Sequence, residues 1–348
     1  MINRTKTKLV KNKTLSFGSS QKILIQSMCD IKTSETKLVI KQIKKCETHG
    51  ADLMRVSVLD ESDALSIKKI KESVNIPIVA DIHFDYKLAI LAIENGADKI
   101  RINPGNIDNK ENLIKIIETA KRYDTIIRIG INSGSLEKNI DGKDIPSKIV
   151  NSALKWISFF EKNNFYKLVI SLKSTNALET YSAYKQFASV SDYPLHIGIT
   201  ESGFDEIGII RSVAGLSPLL LEGIGNTIRI SLTHDPIKEI DTIKRLLHDL
   251  NLYPDYPTII SCPTCGRCEV TNTKQIAKKV LHYCVKNKKY LTISIMGCVV
   301  NGVGEGKNAD IGIAGGKNAF VIFKKGKIIK TVSEETVLKE LFNEIDKF

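Results

Sequence analysis

Ile76-Pro77-Ile78-Val79-Ala80-Asp81-Ile82 and, one helix-length further on, Lys99-Ile100-Arg101-Ile102-Asn103 set the pattern of this chain. Both are short, rich in β-branched residues and almost continuously apolar, as strands buried on both faces of a parallel sheet read. The same kind of run recurs at residues 23–28, 53–58, 126–132, 168–173, 195–200 and 227–232. Segments with helical apolar spacing lie between them, among them 35–47, 109–121 and 174–187. Gly50 and Gly96 stand where helix-ending glycines belong. Strands alternating with helices in this number predict an α/β fold, a closed (β/α)8 TIM barrel within residues 1–252. An open doubly wound sheet would carry a GxGxxG fingerprint after its first strand, and none is present.

After the eighth run, residues 235–252 read as a helix with apolar Ile237, Ile240, Ile243, Leu246 and Leu247. Tyr253-Pro254-Asp255-Tyr256-Pro257 breaks it and marks a domain boundary. The remainder, residues 258–348, alternates strand-like runs (258–261, 291–295, 311–314, 320–323, 327–332) with helical stretches at 274–286 and 334–346. It predicts a smaller α+β domain.

That domain carries Ser261-Cys262-Pro263-Thr264-Cys265-Gly266-Arg267-Cys268, with Cys298 beyond it. Thiolates spaced in this way converge on one soft metal centre, either an iron–sulfur cluster or a structural zinc. A disulfide framework does not suit a long chain with seven cysteines and no secretory leader. Spacing alone nominates four thiolates: Cys262, Cys265, Cys268 and Cys298. The stretch 302–306 that follows reads as a glycine-rich turn.

Several barrel runs hold a cation amid apolar neighbours: Arg55, Arg101, Arg128, Lys173 and Arg229. Alternation puts Arg55 with Ser57, Arg101 with Asn103, Arg128 with Asn132, Lys173 with Ser171, and Arg229 with Ser231 on shared strand faces. All lie near the carboxyl ends of their strands, where barrel enzymes build active sites. An unpaired buried charge costs several kcal/mol, so five cations in one mouth call for a multivalent anion, and guanidinium forks suit phosphate. Asp81, His83 and Glu201 gather at the same rim. Glu201 reads as a proton donor or as a helix-start carboxylate, and His83 as a structural or a catalytic histidine.

The chain has 348 residues, 42% hydrophobic and 26% charged, as an ordinary globular protein has. No apolar stretch reaches the ~18–20 residues of a membrane span. The first twenty residues are basic without a signal-peptide core; a transit peptide is one reading, but barrel-like sequence begins almost at once and favours a basic first strand, which places the protein in the cytoplasm. The net charge of +12 suits an acidic or phosphorylated partner. A zinc-stabilised RNA-binding protein is the rival reading. It lacks the second CxxC pair of a zinc ribbon and aromatics interleaved with basic residues for base stacking.

Val79-Ala80-Asp81-Ile82-His83-Phe84-Asp85-Tyr86, Arg101-Ile102-Asn103-Pro104-Gly105-Asn106-Ile107, Ser261 to Arg267, and Met296-Gly297-Cys298-Val299-Val300-Asn301-Gly302 together closely resemble the 4-hydroxy-3-methylbut-2-enyl diphosphate synthase family of the non-mevalonate isoprenoid pathway. The resemblance implies a TIM barrel joined to an iron–sulfur domain similar to part of sulfite reductase. It implies a homodimer in which each active site is shared between subunits. It also implies two-electron reductive opening and dehydration of methylerythritol cyclodiphosphate, with ferredoxin or flavodoxin as donor. Arg55, Arg101, Arg128, Lys173, Arg229 and Ser231 match the family's diphosphate contacts, with Asn103, Asn132 and His83 beside them, and Glu201 matches its candidate acid. Cys262, Cys265, Cys298 and Glu305 match the ligands of a 4Fe–4S cluster, which leaves Cys268 a bystander. Val303 stands where proline is common in the family, and the glycines around it are expected to keep the loop's shape.

Overall fold

A computed structural model describes residues 4–18, 21–107, 109–137, 139–263, 265–266, 268–270, 272–317 and 319–348, with backbone alone at 299–301. It divides into two units, Met1–Leu252 and Tyr253–Phe348. The first begins with an antiparallel hairpin, β1 (Val10–Lys11) and β2 (Ser16–Phe17). Strands and helices then alternate: β3 (Leu24–Met28), α1 (Thr36–Thr48), β4 (Leu53–Val58), α2 (Glu61–Ser73), β5 (Ile78–Ile82), α3 (Tyr86–Glu94), β6 (Lys99–Ile102) and α4 (Lys110–Arg122). They continue with β7 (Ile126–Asn132), α5 (Ile145–Lys162), β8 (Leu168–Lys173), α6 (Ala177–Val190), β9 (His196–Ile197), α7 (Asp205–Leu221), β10 (Thr227–Ile228) and α8 (Pro236–Asp249). The parallel strands run in the order β8-β7-β6-β5-β4-β3-β10-β9, and a parallel bridge from Ile170 to Leu195 joins the two ends, so the barrel closes.

Local chemistry sets the helix starts. Asp60, Asp85, Asn109, Asp144, Asn176 and Asp235 each accept a backbone N–H from the first turn that follows. Such a cap contributes about 1 kcal/mol. In α4, Leu113, Ile116, Ile117 and Ala120 are buried at the three-and-four spacing that lays one face on the sheet.

Two features of the first unit differ from the sequence reading. The apolar runs 195–200 and 227–232 keep ladder pairing only over the two residues of β9 and of β10. Beyond these the backbones converge: a Cβ on Gly198 would lie 2.6 Å from the Arg229 carbonyl. The amino-terminal segment, expected as a basic first strand, is the β1–β2 hairpin instead. Its Val10, Leu15 and Phe17 cluster with Leu53, Val79, Ile126 and Val169 at the amino ends of the barrel strands and stopper that end.

The second unit contains β11 (Thr258–Ser261), α9 (Thr273–Lys286), β12 (Thr292–Met296), α10 (Val299–Glu305), β13 (Ile311–Gly316), β14 (Ala319–Lys324), β15 (Lys327–Ser333) and α11 (Val337–Ile345). Its strands form one sheet in chain order; β11, β12 and β13 are parallel, and β14 and β15 are antiparallel. Ile276 and Val280 of α9 and Leu341 and Ile345 of α11 pack with Ile293, Ile295, Ile313 and Ile322 on one face. Residues 302–305, read from the sequence as part of a turn, belong to α10 on the opposite face. A Cβ on Gly302 would stand 2.7 Å from Ala314 Cβ, and one on Gly306 2.6 Å from the Phe323 ring. These two glycines therefore let the helix lie directly on the sheet, and flexibility is not their role.

Candidate anion site and thiolate cluster

The inward residues of the barrel's upper half bring five predicted cations together, two of them paired with one carboxylate, Asp81. Asp81 lies 3.2 Å from Arg101 Nη1 and 3.5 Å from Arg55 Nε, and only 3% of its surface is exposed. Met28 Sδ, 2.8 Å from Arg55 Nη2, supports the other edge of that guanidinium. Arg229 is clamped from behind by Glu239 of α8, whose two oxygens accept from Nη2 at 3.0 Å and Nε at 3.2 Å. Glu239 also accepts from Ser27 Oγ and Leu232 N, so a buried carboxylate fixes the angle of this arginine.

Arg128 and Lys173 have no such partner among the described residues. Arg128 is 1% exposed, and its Nε and Nη1 meet no acceptor. Below it, Lys99 reaches Gln26 Oε1 at 3.3 Å, and buried His196 bonds Thr227 through Nδ1 while its Nε2 is unsatisfied. Buried polar atoms are nearly always satisfied, so these mark where a hydrogen-bonding partner belongs. Burial, and then Arg128 nearby, hold Lys173 well below the usual lysine pKa, and burial with the same neighbour does so for Lys99. Burial lowers Arg55 to about 10, with Asp81 opposing the shift. Burial works against the Asp81 carboxylate, yet Arg55, Arg101 and Arg128 together hold its pKa well below the carboxylate range. Six basic side chains, five of them buried, face only Asp81 and Glu239, an excess of basic groups that a multivalent anion would satisfy.

Two inward positions are left blank to make room. A Cβ on Gly130 of β7 would lie 2.7 Å from Arg101 Nε, and one on Gly198 would lie 2.9 Å from Lys173 Nζ.

The remaining predicted residues are placed as follows. Asn132 at the end of β7, turned so that both its polar atoms are satisfied, accepts from Arg101 Nη2 at 3.3 Å. Asn103 caps the short turn after β6 through Gly105 N and donates to Ser135 Oγ at 3.0 Å. His83 is half exposed, 3.9 Å from Asp81. Glu201 is exposed in the loop after β9, and its backbone is left-handed with φ 51°, a conformation that costs a non-glycine residue about 1 kcal/mol. The next residue holds the loop down: Ser202 Oγ donates to the carbonyl of Ser231, and Arg211 donates to Ser202 O at 2.8 Å. Sequence reasoning missed Glu239, Lys99, Gln26 and His196. Glu239 falls within an amphipathic helix where charged residues are routine, but the last three share the strand alternation that found the arginines.

In the second unit the parallel pairing of Ser261 with Ile295 brings the first cysteine beside the last. Gly297 N, next to Cys298, donates to Cys262 Sγ at 3.2 Å. Cys262 and Cys298 are half-buried and Cys265 is exposed. Among the described residues no three ligating side chains form a ready-made metal site. Thr264 and Arg267 lie outside the described residues. Soft donors at the carboxyl ends of adjacent parallel strands, with a backbone N–H on one sulfur, still suit an iron–sulfur centre. Glu305 is exposed at the far end of α10. It lies close to two turns past Cys298, about 10 Å along the axis, on a face whose side chains lean back toward the amino end. Cys268 also packs against Gly297, beside Cys262 Sγ, and its thiol donates to Val270 O at 3.0 Å. Cys29, Cys46 and Cys284 are buried core side chains, and burial pushes Cys46 up to about 12 and Cys284 to about 11.

Fold and site define a (β/α)8-barrel protein with a cation-lined mouth and a cysteine-bearing α+β unit. The GcpE TIM-barrel domain matches residues 7–244, and the GcpE protein C-terminal domain matches residues 258–347. The chain belongs to the GcpE family. It is 51% identical to the 4-hydroxy-3-methylbut-2-en-1-yl diphosphate synthase (flavodoxin) of Caldanaerobacter subterraneus subsp. tengcongensis, over 99% of this chain and 98% of that one. Its identity to the Fusobacterium nucleatum protein of the same name is 46%, over 96% and 95% of the two chains. Among solved structures, dihydropteroate synthase from Stenotrophomonas maltophilia is similar at a TM-score of 0.52 and 14% identity, over 66% of this chain and 94% of that one, a likeness of fold alone. Among the described residues no helix is long and apolar enough to cross a membrane.

Proposed function

We infer that this chain catalyses two-electron reductive ring opening and dehydration of 2-C-methyl-D-erythritol 2,4-cyclodiphosphate to 4-hydroxy-3-methylbut-2-enyl diphosphate, a step of isoprenoid biosynthesis. The observation that carries this reading is the set of buried, unpartnered cations around Arg128 and Lys173, in a chain whose full-length relatives are named for making a diphosphate. Counted on the neutral acids, the reaction takes up two electrons and two protons and releases one water.

The barrel, residues 1–252, is the substrate-binding domain. Arg55, Arg101, Arg128, Lys173, Arg229 and Ser231 hold the diphosphate, with Asn103, Asn132 and His83 at its border. Glu239 and Asp81 aim the guanidiniums, so that little reorganisation is left for the moment of reaction. Glu201, at the mouth, hands a proton to the departing hydroxyl. Residues 258–348 are the cluster domain, in which Cys262, Cys265, Cys298 and Glu305 would hold a 4Fe–4S cluster. Such a cluster supplies the electrons one at a time from flavodoxin or ferredoxin. The working unit is a homodimer that combines the barrel of one subunit with the cluster domain of the other, in the cytoplasm.

Anaerobic turnover of methylerythritol cyclodiphosphate by reconstituted protein with reduced methyl viologen tests the assignment. Product formation that Arg128→Ala abolishes is expected. A colourless, zinc-loaded protein without turnover would overturn it.

A further inference from the structure

The second unit carries a feature that neither the anion site nor the thiolate set accounts for. A groove of ≈ 420 Å³ runs between α9 and β11, which is the edge strand of the sheet. Its floor is apolar, with Ile259, Ala277 and Leu281, and its rim carries Lys274 and Lys278. Cys262 is among the residues that line it. The helix above it, Thr273–Lys286, contains four lysines and no acidic residue. Lys274 and Lys278 are exposed and pair with no carboxylate among the described residues.

We propose that this groove is where the electron donor of the ring-opening reaction, a small acidic protein with a one-electron cofactor at its surface edge, docks. The proposal rests on the ring-opening function above, because it assigns Cys262 to a redox centre. Three physical points select this occupant. A weak redox encounter needs a small patch rather than a large interface, and its affinity and rate come from complementary charge. The unpaired lysines supply that charge, and the apolar floor gives a short-lived contact once water is expelled. Cys262, a proposed ligand, is among the residues that line the groove, so a cofactor edge resting there stands close to the strand end that carries the centre it reduces. In each encounter the reduced donor loses one electron to the centre, and two encounters supply the two electrons of one ring opening. One proton passes through Glu201 and the other comes from solvent. A phosphorylated small molecule fits less well, since its charge would rest on an apolar floor.

The test uses the full-length, anaerobically reconstituted protein and follows bleaching of its visible absorption by stopped flow. Fully reduced flavodoxin is one reductant and reduced methyl viologen the other. The double variant Lys274→Glu/Lys278→Glu should be reduced by flavodoxin at least ~10-fold more slowly than wild type at low ionic strength, and should lose most of the wild type's salt dependence. With viologen the two should agree within about twofold, as a small donor needs no charged rim. The exposed pair Lys68→Glu/Lys69→Glu on α2, which makes the same change in net charge, should leave the flavodoxin rate near wild type. Equal flavodoxin rates in wild type and the groove variant would overturn the proposal, and so would an equal slowing by the α2 control. A change in sedimentation of the groove variant would also overturn it, since the groove would then be a face between copies of this chain. Because reduction is read from the colour of the centre, failure of ring opening in the turnover assay would sink the functional reading alone.

Discussion

A single methyl group at position 130 offers the sharpest test of the barrel site, because it alters no charge. In Gly130→Ala the new Cβ would lie 2.7 Å from Arg101 Nε, while ordinary contact begins near 3.4 Å. The guanidinium must therefore retreat by roughly 0.7 Å, a tolerance tighter than hydrogen-bond geometry allows. Its contacts to Asp81 at 3.2 Å and Asn132 at 3.3 Å would open beyond bonding distance if the retreat is directed away from them. Losing a desolvated, charge-assisted contact to the diphosphate costs about 2–5 kcal/mol, or roughly thirty-fold to several thousand-fold in affinity. Overpacking should lower stability by about 1–3 kcal/mol. Gly134→Ala is the matched control, since nothing lies within 4 Å of its Cβ position. Calorimetric titration with methylerythritol cyclodiphosphate, beside thermal melts, reads both effects. Wild-type affinity and wild-type Tm in Gly130→Ala would refute the claim that β7 is left bare to seat Arg101.

Two further predictions concern the thiolates and the buried lysine. Cys268→Ser should retain iron and lose about 1 kcal/mol of stability or less, because this thiol bonds Val270 O and packs on the core. Glu305→Ala should keep much of its iron and lose turnover, and a reversed pattern in iron content would make Cys268 the ligand. Lys173 has a folded-state pKa below its unfolded value of ~10.4. Between those two values the unfolded chain binds the extra proton, so this group makes stability rise with pH across that window. A bound diphosphate pulls the pKa back up, so binding should take up protons and weaken as pH rises. Titration with inorganic diphosphate in buffers of different ionisation enthalpy measures this, and zero proton uptake would contradict it.

The barrel was legible because its strands are buried on both faces and announce themselves as unbroken apolar runs. The cations were legible for the same reason, since Arg101 or Arg128 inside such a run has nowhere to point but inward or into the helix layer. What stayed hidden depended on contacts far apart in the chain. Glu239 sits on a helix whose polar positions look like solvent face, and only the closed barrel brings it behind Arg229. The hairpin at Val10–Phe17 is built from two-residue strands, too short to leave a periodic signal. The glycines at 302 and 306 read as a turn because sequence shows their freedom but not the sheet they lie against. Gly130 and Gly198 were silent altogether, since a missing side chain has meaning only once its neighbours are known.

The hairpin occupies the amino end of the barrel, so among the described residues the basic side chains are approached from the carboxyl end, where Arg229 and Glu201 stand. A partner that covered the carboxyl end would therefore control both admission and dryness. The stopper is a separate piece of chain, Val10, Leu15 and Phe17 on a short hairpin, rather than part of the barrel wall. Loosening it would turn a flask into a pipe and let solvent reach the buried face of Lys99, whose Nζ lies 4.8 Å from the Phe17 ring centre.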